Sequence, residues 1–426
     1  MFSKRISPLK KIAIIGSGVS GLTCAHLLHK HYDITVFEKN DYIGGHTATV
    51  EISDAGVKRA IDTGFIVFND RTYPYFEKLL ARIGVDRQET QMSFSVHNQA
   101  SGFEYNGHTF ASLFAQKRNI FRPKFWRLLS DIVKFNKLCK AMHSEQNYPK
   151  DQTLGQLLGT HGFNDFFKYH YILPMGAAIW STSIKEMQNV GVEFFVNFFY
   201  NHGLLDVTNR PQWYVIPGGS KQYIKPLIKG FAERIKLNTD IETVTRVDNK
   251  VIITLENGEQ AEFDKVVFAC HSDQALALLG DATEQEQAVL GAIPYTENSV
   301  VLHTDTSLLP DRKAAWASWN YLLNENTDKA AVVTYQMNIL QGIDSDTQFC
   351  VTLNHLEGIN KANILREFTY HHPVFNEASI AAQKLKHTVD GQNNSYFCGA
   401  YWYNGFHEDG VRSGVDVAKQ LGVEFE

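Results

Sequence analysis

The sequence predicts an α/β fold: a parallel sheet flanked by helices, with a second, discontinuous α+β domain set into the chain. Three observations carry this. Lys11-Ile12-Ala13-Ile14-Ile15 is a continuous apolar, β-branched run of the kind buried on both faces of a parallel sheet. Asp33-Ile34-Thr35-Val36-Phe37 is a second such run, with helical spacing from Leu22 to Leu28 between the two. Lys265-Val266-Val267-Phe268-Ala269 is a third, far along the chain, so distant segments are expected to close one sheet.

A chain of 426 residues is too long for one ordinary core and suits two domains. Its net charge of −5 gives no reason to expect nucleic acid as the main partner. The five cysteines (Cys24, Cys139, Cys270, Cys350, Cys398) are odd in number and scattered, without a C-x-x-C pair. That argues against a disulfide framework and against zinc, and fits a reducing compartment. His26 and His29 share a helix face near its end, where solvated or dipole-facing histidines are commoner than ligands, so no metal is expected. Lys4-Arg5 and Lys10-Lys11 precede an apolar run too short for a signal peptide, and no stretch is apolar enough to span a bilayer. A cytoplasmic location is the expectation. The 28 Phe and 18 Tyr suit either a well-filled core or a pocket for a flat cofactor or apolar substrate.

Gly16-Ser17-Gly18-Val19-Ser20-Gly21 joins the first strand to the helix. Gly16 permits the tight turn, Gly18 lets the backbone approach a pyrophosphate, and Gly21 lets the helix pack close to the strand. The helix N-terminus offers free N–H groups and a positive dipole end to phosphates. Glu38, at the end of the second strand, lies at the spacing that lets a carboxylate reach a ribose 2′-hydroxyl. A lone glycine motif is weak; strand, loop, helix, strand and acid in this order predict a Rossmann-type dinucleotide site.

The residues after the acid point to FAD rather than NAD. Lys39-Asn40-Asp41-Tyr42-Ile43-Gly44-Gly45-His46 places a glycine pair just beyond Glu38. Ile61-Asp62-Thr63-Gly64-Phe65, Val215-Ile216-Pro217-Gly218-Gly219-Ser220 and Asn394–Ala400 followed by Asp409-Gly410-Val411 complete the pattern. Together they resemble the flavin amine oxidase superfamily, which includes phytoene desaturases, protoporphyrinogen oxidases and UDP-galactopyranose mutases. The resemblance is strong over the FAD-binding segments and loose in the middle. It implies FAD held by Gly16, Ser17, Gly18, Ser20, Gly21, Glu38, Lys39, Gly44, Gly45 and His46. It also implies Thr63, Gly64 and Phe65 near the flavin ring, Val244 at the adenine, and Gly399, Asp409, Gly410 and Val411 at the C-terminal helix, whose N–H groups would face the flavin N1/O2 edge. Two departures stand out: His46 takes the place of the usual Arg, and Ala400 that of the acid after the last strand's glycine. The whole chain, including Trp180-Ser181, Gly405–Gly410 and Tyr370-His371-His372-Pro373, looks most like a bacterial subgroup described as FAD-dependent amine oxidases. That subgroup accompanies cyclopropane-fatty-acid-synthase-like methyltransferases, a hint of lipid chemistry.

The FAD domain is accordingly expected over 1–74, 213–284 and 391–426, and the substrate domain over 75–212 and 285–390. Within the former, Tyr223–Ile235 reads as a helix and Asn257-Gly258 as a type I′ hairpin turn. Within the latter, 118–140 is basic with Phe125, Leu128, Leu129, Ile132 and Phe135 on one helical face. This is either a core-packed helix with a solvated basic face or a peripheral contact with anionic lipid.

In such proteins the flavin carries the redox chemistry, and the protein supplies orientation and a dry pocket. Tyr401-Trp402-Tyr403 and His407, just before the last helix, are the expected residues flanking the flavin ring, with Tyr403 and His407 taken as substrate-side, and Trp180 and His202 are the weaker candidates. The leading expectation is an oxidoreductase removing hydride from an apolar, fatty-acyl-like substrate, as oxidase or desaturase. A flavin-dependent amine oxidase is the alternative. A mutase-like isomerase would need an arginine cluster that the middle segments do not offer, and a flavin-free binding module is disfavoured by the intact glycine loops and Glu38. Substrate, electron acceptor and oligomeric state are not legible.

Overall fold

A computed structural model of the chain describes residues 9–206, 209–323 and 328–426; Lys4 and Arg5 lie outside them. The parallel sheet forms as expected. β1 (Lys11–Ile15), β2 (Asp33–Phe37), β3 (Ile235–Lys236), β4 (Lys265–Phe268) and β5 (Ser395–Phe397) pair in the order β3-β2-β1-β4-β5, every pair parallel. Ile12, Ala13, Ile14, Val36, Val266 and Val267 are all buried, which is why these strands read as unbroken apolar runs. The glycine loop leads from β1 into α1 (Val19–Leu28).

A seven-stranded, mostly antiparallel sheet lies apart from this one. Its strands run in the order Ile364–Pro373, Tyr295–His303, Cys350–Leu353, Val332–Gln336, Trp319–Leu322, Phe94–Asn98, Phe103–Asn106. A helical core with Phe125, Phe135, Phe167, Phe195 and Phe199 packs beside it and absorbs much of the aromatic content.

Further helices bear on the site: α2 (Pro74–Ile83), α3 (Pro123–Ser144), α4 (Glu284–Leu290), α5 (Glu377–Lys384) and α6 (His407–Gln420). α2 buries Phe76, Leu79 and Leu80 in one cluster with Ile12, Leu22 and Val36. Val289 and Leu290 of α4 and Ala382 of α5 share a cluster with Ala13, Phe268 and Phe397. Arg246 joins α4 to this layer through Glu286 (2.6 Å) and Ser395 (3.1 Å). The helices that begin at the boundaries expected at 74 and 284, and α5 just before that at 390, thus also pack with the layer of the parallel sheet. The sequence shows where glycine motifs stop, not where apolar faces are buried.

Two local expectations fail for visible reasons. Tyr223–Ile235 breaks into a short helix (Ile224–Leu227) and a 3-10 turn (Ala232–Arg234) before β3. Pro226 offers no N–H, and Gly230 at φ +105° turns the chain. At Asn257-Gly258 only Gly258 takes positive φ, +82°, so the hairpin closes through a wider turn with Leu255 N–H donating to Glu259 O (2.9 Å) rather than type I′.

Candidate active site

The glycine loop forms an open cradle. Gly16 sits at φ +110°, and a side chain there would meet the Ala269 carbonyl at 2.8 Å. Gly21 touches the Gly16 carbonyl, bringing α1 onto β1. At Gly18, by contrast, an added Cβ would meet nothing within 4 Å. No side chain caps α1, so its first-turn N–H groups remain available to an anion. Glu38 is buried and joins the ends of the first two strands. Its Oε2 accepts from the Ser17 N–H (3.0 Å) and hydroxyl (2.5 Å), and its Oε1 from the Asn40 N–H (2.9 Å). The second glycine loop closes on the first: Gly44 N–H donates to Ser17 O (3.1 Å), and a Cβ on Gly45 would lie 3.2 Å from Gly18 Cα.

The same loop delivers His46 to the Thr63–Phe65 segment. The His46 carbonyl accepts from Phe65 N–H (2.8 Å), and Gly64 packs directly against that carbonyl, leaving no room for a side chain. The His46 ring lies among Tyr370 (4.9 Å between centroids), His372 (5.7 Å) and His271 (6.2 Å). Its Nε2 is buried without a partner. Desolvation pushes His46 and His271 down to about 4 and His372 to about 3, and neighbouring histidines, His371 in each case, act in the same direction. Thr63 Oγ1 approaches the Tyr370 hydroxyl (3.3 Å).

α6 completes the cradle. Gly410 abuts Val19 and Ser20 at the start of α1, so the two helix N-termini converge. Gly399 N–H donates to Ser413 Oγ (2.8 Å), holding the end of β5 to α6. His407 stacks flat on Phe65 (3.7 Å, 8°), and its Nε2 pairs with the Tyr223 hydroxyl (2.8 Å), which in turn meets Thr47 Oγ1 (2.5 Å). Burial pushes His407 down to about 3.

Trp180 lines a cavity of about 270 Å³ with Phe194, Phe375, Thr296, Glu186 and His372. His372 is thus shared between this cavity and the histidine group around His46. A second cavity of about 400 Å³, walled by Met92, His108, Arg210 and Trp213, touches none of the cofactor residues.

Several expected residues act differently or stand apart. Lys39 turns to the surface and pairs with Asp240 (3.0 Å) instead of facing the cradle. The Asp409 carboxylate accepts from Phe406 N–H (2.9 Å) and Asn404 N–H (3.2 Å), capping its own helix; Val411 is fully buried packing. Val244 lies in the core beside Phe37, its carbonyl accepting from Gly280 N–H (3.0 Å). Tyr403 does not join the site: its hydroxyl donates to Asp416 and its ring lies under Arg412 (4.0 Å), on the outer side of α6. The 3-10 turn Ala400–Trp402 points it there, while the Trp402 indole N–H turns inward to Phe397 O. His202 stacks on Phe198 (3.9 Å) next to Phe406.

His271, His372, Tyr370, Asp62 and Glu408 also shape the site, though no motif assigns them an individual role. Buried Asp62 accepts from Ser220 N–H (2.9 Å), Ser220 Oγ (2.9 Å) and Thr49 Oγ1 (2.6 Å), tying the Pro217-Gly218-Gly219 turn to the flavin segment. Glu408 accepts from Tyr75 and Phe76 N–H (2.9 and 2.8 Å), fixing the start of α2. Ser220 after a glycine pair was the available signal for Asp62; nothing local marks the others.

The open space over Gly18, the uncapped α1 and the orphaned His46 Nε2 fit a bound FAD, with the diphosphate at the glycine loops and a ribose at Glu38. Among the described residues, no group of three or more His, Cys, Asp or Glu is arranged to hold a metal, and no helix is long and apolar enough to cross a membrane.

Known proteins place the chain further. The family model for flavin containing amine oxidoreductases matches residues 19–346. The chain is 51% identical over 45 residues to a 1-hydroxycarotenoid 3,4-desaturase of Flavobacterium sp. (strain P99-3), a match covering 10% of this chain and 9% of that one. It is 23% identical over 268 residues to the flavin-containing amine oxidase A of Canis lupus familiaris, covering 61% of this chain and 49% of the other. It spans about half the length, or less, of these curated relatives. In fold it is similar to a CLA-producing fatty acid isomerase from P. acnes, with a TM-score of 0.70 at 17% identity over 99% of this chain and 100% of that one. A family model reaching across most of the chain and a cradle shaped for a dinucleotide agree: the chain belongs to the family of flavin containing amine oxidoreductases, and FAD is its cofactor.

Proposed function

We propose that this protein removes hydride from an apolar, fatty-acyl substrate, as an FAD-dependent oxidase or desaturase. The observation that carries the reading is the cavity walled by Trp180, Phe194 and Phe375, which meets the histidine group at the cofactor segment through His372. Bound FAD supplies the two-electron acceptor. The chain's own residues hold the substrate and exclude water. Phe194 and Phe375 stack at 5.8 Å, and Trp180 lies 5.4 Å from Phe194, an apolar slot for a hydrocarbon chain.

Charge supports the same choice. At neutral pH His46, His271 and His372 are uncharged, so they do not oppose the positive charge that grows on a carbon losing hydride. Glu186 is the one carboxylate on the cavity wall, and its Oε2 already accepts from Thr182 Oγ1 (2.6 Å), Ser183 N–H (3.0 Å) and Ser183 Oγ (2.9 Å). These neutral donors hold it anionic, so Glu186 is the one wall group that would answer a substrate ammonium, and it counts toward the amine alternative. The carotenoid desaturase and the fatty acid isomerase, both named for long apolar substrates, support the reading by analogy. The amine-oxidase alternative rests on the Trp180 and Phe194 faces, which suit a cation–π contact, and on the canine relative.

The test is the visible spectrum of the flavin-loaded protein, held anaerobically with unsaturated fatty acids or with aliphatic amines. Bleaching by the lipids, with a matching net two-electron oxidation in the recovered product, is the expected result. Bleaching by amines alone would overturn the lipid reading in favour of the alternative.

A further inference from the structure

We propose that the face built from residues 110–127 docks this protein onto an anionic lipid bilayer. It is the largest concentration of exposed aromatic side chains among the described residues. Phe110 is 77% exposed, Phe121 86%, Trp126 48% and Ile120 44%. They form one ridge: the Phe110 and Phe114 rings lie 4.9 Å apart, and Phe114 and Trp126 5.6 Å. The Trp126 indole N–H donates to Ile120 O (2.8 Å), so the turn bearing Ile120 and Phe121 is held to α3. α3 satisfies its packing with Phe125, Leu128 and Phe135, leaving Phe121 and Trp126 surplus to the core.

The charge around the ridge has one sign. Lys117, Arg118, Lys124 and Arg127 are exposed, and Lys134 and Lys137 continue the row along α3. Arg118 is held by the Gly102 carbonyl (2.6 Å), and Arg122 by Asn119 Oδ1 (3.2 Å). From Glu104 to Asp131 the sequence has no acidic residue. Those two are buried: Glu104 pairs with Arg312, and Asp131 accepts from Asn164 N–H (3.2 Å). The adjoining 3-10 turn Lys313–Ala315 adds Lys313, and Asp311 beside it is the one exposed acid this neighbour brings.

A chain with a net charge of −5 does not produce such a patch by composition. Aromatic and aliphatic tips ringed by Lys and Arg match the apolar–headgroup boundary of a bilayer. Protein interfaces, by contrast, are depleted of lysine. Docking here would set the protein beside a source of apolar substrate, yet the inference does not depend on the substrate assignment and its test contains no turnover.

The test is sedimentation of the full, flavin-loaded protein with vesicles of phosphatidylcholine alone or with a third phosphatidylglycerol. The wild type should bind the anionic vesicles, less so as salt rises. Lys124→Gln with Arg127→Gln should weaken that binding about 30-fold, at about fivefold per charge. Phe110→Ser with Phe121→Ser should weaken it at least about tenfold through lost insertion. All four side chains are solvent-facing, so flavin content and melting temperature should match the wild type. Failure of the wild type to sediment with anionic vesicles, or binding by both variants equal to the wild type's, would overturn the proposal. So would lipid-free dimerisation abolished by Phe110→Ser with Phe121→Ser, which would assign the ridge to a second copy of the chain.

Discussion

The seating of α6 on α1 can be probed with one added carbon. At Gly414 a Cβ would lie 2.5 Å from the Ser20 carbonyl, 3.2 Å from Thr23 Cβ and 3.3 Å from Cys24 N. All three belong to α1, which is pinned between β1 and the core, so α6 must retreat. Overpacking of this kind costs about 1–3 kcal/mol. Replacing a mid-helix glycine by alanine returns about 1 kcal/mol of propensity, so Gly414→Ala should lose up to about 2 kcal/mol net. The retreat also draws Gly410 away from Val19 and Ser20, where the two helix N-termini meet, so FAD should bind about tenfold or more weakly. Gly159→Ala is the matched control. It lies in the helix Leu154–Thr160, and its Cβ would meet nothing within 4 Å, so it should be neutral or stabilising by up to about 1 kcal/mol. Thermal unfolding with and without FAD, together with flavin titration, reads both variants. A Gly414→Ala protein that melts at or above the wild type with unchanged FAD affinity would refute the argument that this contact shapes the cradle.

Gly18→Val should behave in the opposite way. Gly18 has φ −69° and ψ 177°, open to any residue, so the apoprotein should fold normally while the branched side chain fills the cradle and abolishes FAD binding; normal flavin occupancy would sink the cofactor assignment. Glu408 predicts a pH dependence. Burial raises its carboxyl from 4.5 to about 7, so the fold favours the protonated form; stability from this group is full below pH 4.5 and is lost as pH rises through 7, by about 3 kcal/mol. Asp409, raised to about 7, and Asp62, raised to about 6, act in the same direction. Glu408→Gln should flatten the fall in melting temperature between pH 4.5 and 8; an unchanged slope would show that Glu408 does not titrate in that window.

The parallel sheet and the FAD cradle were legible because their constraints are local. Gly16, Gly18, Gly21 and Glu38 fall in one short stretch of strand, loop, helix and strand whose order and spacing mark them, and β1, β2 and β4 carry their burial in their composition. Long-range contacts were not legible. Asp62 works by meeting Ser220, and Glu408 by meeting the start of α2, neither marked by periodicity or spacing. Tyr403 failed as a site residue because adjacency to a functional helix says nothing about which side a ring takes after a 3-10 turn. His371 and His372 could be read only as part of a family-like string. Strand alternation then sends His371 outward and His372 toward His46, a distinction that needs the pairing of Glu297 with His371 and Thr296 with His372.

Histidine in place of arginine after the glycine pair changes the electrostatics of the whole site. An arginine is charged at every accessible pH and would place a fixed cation beside the Gly64 segment. His46 cannot do this: it is buried beside His271 and His372, and desolvation pushes all three rings well below neutral pH. Lys39, the nearest cation to Glu38 in sequence, is turned away to Asp240. Attraction for the FAD diphosphate then falls to the backbone N–H groups of the two glycine loops and to the converging N-termini of α1 and α6. These are dipoles whose fields weaken within a turn of helix, so they act on the phosphates without extending a net positive charge to the cavity at Trp180. A site held this way binds an anionic cofactor through backbone dipoles, with no fixed cation beside the Gly64 segment.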